Sequence, residues 1–136
     1  DLLFYSGDMF PNRYKNGAFI AFHGSTNRSP YPQAGYVVGF IPFSDGLPSG
    51  KLEIFADGFA QVEVIKEMKD AKYRPMGLAE GPDGSLYISD SKKGKIWRVL
   101  YTADKASFSD ENLKEMKLRE NLPHIKTPIE FEDIVK

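Results

Sequence analysis

The chain has 136 residues, 41% of them hydrophobic, which suits one ordinary globular domain and excludes both a disordered chain and two full domains. Its 18 basic residues against 19 acidic ones leave a net charge of -1, so no long-range field draws in nucleic acid or an anionic membrane. The absence of cysteine excludes disulfides, zinc–thiolate sites, thiol nucleophiles and covalent haem attachment, and by itself leaves the compartment open.

No apolar run approaches the roughly 18 residues of a membrane span, and no basic-then-apolar leader opens the sequence. The chain starts at Asp1, inside a run that reads as a strand, which suggests a piece of something longer. Short strands then follow between turn signals: Leu2 to Tyr5, Ala18 to His23, Gly35 to Phe43 and Leu52 to Phe55. A second series comprises Pro75 to Ala79, Ser85 to Ser89 and Lys95 to Tyr101, with Gly81-Pro82-Asp83-Gly84 and Lys92-Lys93-Gly94 as tight turns.

The reading is all-β: about two four-stranded blades of a β-propeller, over 1–58 and 74–101, the second lacking its outer strand. The connection 59–73 fits a short surface helix or an ordered loop through Val62, Ile65 and Met68. Residues 102–136 read as a C-terminal extension. In it Ser109 caps a helix with apolar positions Leu113, Met116 and Leu122 that stops before Pro123, and His124 onward reads as a linker.

The residues able to carry chemistry cluster after the second strand. His23 ends an apolar run and precedes Gly24, so its imidazole sits at a strand end where it can exchange a proton near neutral pH. Ser25, Asn27 and Arg28 add a hydroxyl, an amide and a bidentate fork, the groups that fix carboxylates and sugar hydroxyls. The competing reading is a turn that caps its own backbone. Arg74 opens the second series where an inner strand of a propeller begins, so it either faces an anionic ligand on the axis or makes a surface ion pair. Asp83 and Asp90 read as turn residues. Trp97, alternating with its strand neighbours Ile96 and Val99, reads as core.

The motifs Gly17-Ala-Phe-Ile-Ala-Phe-His-Gly-Ser-Thr-Asn-Arg-Ser-Pro30, Pro32-Gln-Ala-Gly-Tyr36, Arg74-Pro-Met-Gly77, Gly81-Pro-Asp-Gly-Ser-Leu-Tyr-Ile-Ser-Asp90 and Ile96-Trp-Arg98 together resemble one family. It is the C-terminal part of the sorbosone and pyranose dehydrogenase group, six-bladed propellers that use pyrroloquinoline quinone. The resemblance covers about residues 1–101, with Thr26 standing where that group usually has Trp. It implies oxidation of a sugar or alcohol by hydride transfer to the quinone, in the periplasm or outside the cell, with a cytochrome c domain or protein as electron acceptor. It implies His23, Asn27, Arg28 and Arg74 as cofactor contacts, and calcium whose ligands lie mostly outside this chain. Two blades alone would be inactive, and their exposed strand edges would favour self-association. The alternative is a binding or scaffold propeller that has lost the cofactor.

Overall fold

The computed structural model describes residues 1–126. Its first sheet is built from β1 (Leu2–Phe4), β2 (Gly17–Phe22), β3 (Val37–Ser44), β4 (Leu47–Pro48) and β5 (Glu53–Ala56). All neighbours are antiparallel, in the order β1-β2-β3, with β4 and β5 both pairing β3. β2 is apolar along its whole length because it has strands on both sides and is covered on both faces. Its register sets Phe19 opposite Phe40 and Ala21 opposite Val38.

β4 is a two-residue return that the strand pattern of the sequence does not reveal. Asp45 and Gly46 both take positive φ, 51° and 78°, the pairing a tight hairpin requires after β3.

The second sheet is β6 (Pro75–Glu80), β7 (Leu86–Asp90) and β8 (Ile96–Val99), an antiparallel meander of three strands. Here Trp97 and Val99 turn inward against the core while Ile96, on the opposite face of the strand, is 67% exposed. The fold is therefore all-β, with two open antiparallel sheets and one short helix, and among the described residues neither sheet closes into a barrel.

One core joins the sheets. Phe19, Val38 and Phe40 meet Leu86 and Ile88, and Tyr5, Phe10 and Tyr14 fill the gap beside them. Most of these rings meet edge-on or tilted, for example Tyr14 on Phe40 at 4.9 Å, as the aromatic quadrupole favours. Directed bonds fix the relative position of the sheets. The Tyr5 hydroxyl donates to the Gly84 carbonyl at 2.7 Å, and the Leu78 N–H donates to the Asp1 carboxylate at 2.8 Å.

The connection 59–73 is the ordered loop, with a single 3-10 turn at Met68–Asp70, and it buries Ile65 and Ala71 against Tyr36. The Lys92 ammonium holds it by donating to the carbonyls of Lys69 and Ala71. After β8 the chain makes 3-10 turns at Lys105–Ser107 and Asp110–Leu113, the latter under a Ser109–Asn112 capping box, and then α1 (Lys114–Arg119). In place of the linker expected from His124, the chain docks on the first sheet. His124 is only 2% exposed, and its carbonyl accepts from the Gly35 N–H at 2.8 Å. The remainder of that expectation, over 127–136, lies outside the described residues.

Candidate functional site

The turn after β2 owes its shape to close packing. Gly24 (φ 99°) lies on the Tyr36 ring, where a Cβ would come within 2.4 Å of a ring carbon, so no side chain fits. Gly35 (φ 93°) backs onto Gly24 in turn. The loop closes through Ser25: its N–H donates to the Ala34 carbonyl at 2.7 Å, and its hydroxyl donates to Gln33 and accepts from the Ala34 N–H. The Tyr36 hydroxyl donates to the Ser25 carbonyl at 2.7 Å. Ser25 thus serves the turn's own backbone.

Arg74 enters from the other sheet. Its side chain is buried, and Nε and one terminal nitrogen donate to the carbonyls of His23 and Gly24 at 3.1 and 2.8 Å, with the guanidinium over the Tyr36 ring at 5.4 Å. Its own N–H is held at 2.6 Å by Asp90, whose second oxygen caps Lys93. Backbone hydrogen bonds at Arg74 and in the Lys92–Lys95 turn outweigh burial and keep the Asp90 carboxyl below its ordinary range. Arg74, expected to face a ligand or to make a surface ion pair, thus staples the His23 turn to the second sheet through two of its guanidinium nitrogens.

What this staple presents to solvent is His23. The Nε2 atom sits 2.6 Å from the Ser91 hydroxyl, and both residues are exposed. Desolvation of the ring, and then the neighbouring Arg74 charge, push the imidazole below its ordinary value of 6.5, so it is neutral at pH 7. The neutral ring either accepts the Ser91 hydroxyl hydrogen or donates to its oxygen. Among the described residues no carboxylate binds Nδ1, so the pair lacks the orienting acid of a hydrolytic triad.

Arg28 points away from this pair. One of its terminal nitrogens donates to the carbonyls of Pro32 and Pro123 at 3.2 and 3.4 Å. Asn27 is exposed and joins neither group. Of the four expected contacts, only His23 and Arg74 are brought together. Ser91 was missed because it lies 68 residues from His23 and carries no motif of its own.

A second polar cluster also went unread. Asp57, with its side chain 2% exposed, is bonded to His124 Nε2 at 2.9 Å and to Arg119 Nε at 2.6 Å. Burial works against its charge, but the hydrogen bonds from His124, the Gly58 N–H and Arg119 prevail and hold its carboxyl below the usual range. The described residues contain no group of three or more His, Cys, Asp or Glu placed to hold a metal ion, and no helix long and apolar enough to cross a membrane.

Comparison with known proteins overturns the resemblance to the sorbosone and pyranose dehydrogenase group. The chain is 34% identical over 99 residues to an uncharacterized protein of Borreliella burgdorferi, a match covering 72% of this chain and 24% of the relative. The chain thus spans about a quarter of the relative's length, and the relative's name states no activity. No solved structure matches significantly. The family that does match, over residues 1–102, is TrAA12-like, and the chain belongs to that family.

Proposed function

We propose that this chain forms one wall of a binding site for a small, neutral, hydroxylated ligand such as a sugar or polyol, within a longer β-sheet protein. The observation that carries the reading is the His23–Ser91 pair, an exposed neutral imidazole 2.6 Å from an exposed hydroxyl. Such a pair offers a donor and an acceptor to a ligand hydroxyl and carries no charge to desolvate. Arg74 and Asp90 fix it from below, so the geometry is set before a ligand arrives. In this reading the two meanders are neighbouring blades of a propeller, a proposal supported by their shared core and their simple strand order.

A titration of the isotope-labelled chain with D-glucose and glycerol tests the idea. Saturable shifts at His23 and Ser91, lost in His23→Ala, are the expected result. Unmoved signals above the millimolar range would defeat it.

A second reading, oxidation of the same ligand class in the longer protein, is favoured by the lowered pKa of His23, which keeps a free base beside a bound hydroxyl. Pyrroloquinoline quinone and calcium were the expected cofactors; Arg28 and Arg74, the expected carboxylate contacts, each give part of their guanidinium to backbone carbonyls. Dye-linked oxidation of alcohols by the longer protein, compared with its His23→Ala variant, decides between binder and enzyme.

A further inference from the structure

Residues of the two sheets and the loop after β5 line an open cavity of about 200 Å³ that the His23 site does not touch. Phe59, Tyr73 and Trp97 make its aromatic wall, with Phe59 and Tyr73 each near perpendicular to the Trp97 ring at 5.0 and 5.2 Å. Ile88 and Val99 complete the apolar surface, and Asp57 and Gln61 stand at the polar end.

The rim is preformed. Tyr73 and Lys72 donate their N–H groups to the carbonyls of Phe59 and Ala60 at 3.1 and 2.9 Å, and the Lys72 ammonium holds the Gln61 side-chain oxygen at 3.0 Å. Gln61 itself sits at a left-handed φ of 57°, a conformation a non-glycine residue keeps only when its surroundings enforce it.

Two features at the polar end point to a ligand. An ionised carboxylate has about four acceptor directions, and His124, Arg119 and the Gly58 N–H use three of those on Asp57. In addition, among the described residues His124 Nδ1 is buried without a partner, beside a crevice of about 150 Å³ that shares Asp57, Gly58 and Gln61 with the cavity. A buried ring nitrogen in that state is unfavourable, and a polar group bound in the crevice relieves it.

Charge decides the ligand class further. Lys95 and Lys72 already lie over the Tyr73 ring, Lys95 also over Trp97 at 5.4 Å, and Arg119 pairs with Asp57, so the charges here favour a neutral ligand over a cation. The volume is below the 300 Å³ or so that drug-sized ligands occupy.

We propose that this cavity binds a small neutral ring bearing one hydroxyl donor, of the size and chemistry of phenol, with the ring against Trp97 and the hydroxyl toward the Asp57 carboxylate that His124 holds. Trp97 is the only tryptophan, so its indole N–H gives a single resonance that reports on this wall alone. The chain is titrated with phenol and, separately, with anisole, whose methyl group removes the donor. Saturable movement of the Trp97 indole and His124 ring signals by phenol is expected, with anisole bound roughly fivefold more weakly or worse. Val99→Phe, which fills the cavity, should abolish the saturable response. Equal response to the two compounds, or shifts that grow without saturating, overturns the proposal on the unaltered chain alone, whether or not the filled variant folds.

Discussion

At the scale of single residues, the two guanidiniums show why a ligand-like motif is a poor guide to what a side chain meets. Arg28 and Arg74 were legible as forks able to hold an anion, but each also donates to carbonyl oxygens of its own chain. Arg74 reaches carbonyls 51 and 50 residues away, a juxtaposition no local pattern encodes. Arg74→Ala removes two charge-assisted bonds from a buried position and should cost about 3 kcal/mol, read as a shift in the denaturation midpoint. His23 gives the complementary prediction. Desolvation and then Arg74 depress its folded-state pKa, so its neutral form is the one the fold favours. The corresponding stability is complete above the unfolded value near 6.5 and diminishes as pH falls through that value toward the lower folded one. A ring-proton titration by NMR should therefore show a midpoint below 6.5. A midpoint at or above the ordinary value would remove the neutral-imidazole argument.

At the scale of elements, most strands were visible in the sequence because each is a short apolar run closed by Gly, Pro, Asn or Asp, and turn chemistry is local. The docking of the C-terminal segment was invisible because its cause is not. Asp57 and His124 are 67 residues apart, and a Pro-bounded stretch such as this reads as a linker until its partner is known. Breaking the buried pair with Asp57→Ala leaves Arg119 and His124 without their acceptor and should weaken the docking by about 3 kcal/mol. The segment's contact with the binding turn supplies the readout: the Gly35 amide, bonded to the His124 carbonyl, should lose hydrogen-exchange protection while the β2–β3 amides keep theirs. Acid should act in the same direction. The folded pKa of Asp57 is depressed, so its contribution is present above the ordinary aspartate value of 3.8 and lost as pH falls through the lower folded value. Uniform loss of protection across both regions would mean that the segment is not a separable unit.

At the scale of the whole molecule, the two sheets cover one face of each other and leave apolar groups outside that contact. Leu2 and Phe4 on β1 are 51% and 59% exposed, with Phe4 edge-on to Phe43 at 5.1 Å, and Leu47 at the β4 turn is 69% exposed. Within the described residues β8 pairs only with β7, so its other edge offers unpaired N–H and C=O groups beside the exposed Ile96. No proline or bulge interrupts that strand, and Lys95 and Arg98 supply the charges that guard it. In a longer protein further sheet would cover such surfaces; among the described residues nothing does, which leaves them open to copies of the chain. Light scattering should accordingly show a mean mass that rises with concentration. Ile96→Lys should return the chain toward monomer while changing folding stability by no more than about 0.5 kcal/mol, because the side chain it replaces is already in solvent. A monomer mass at every concentration would show that the charges on β8 suffice to protect its edge. A variant that still associates would move the contact to the Leu2–Phe4 face, where Phe4→Lys makes the same comparison.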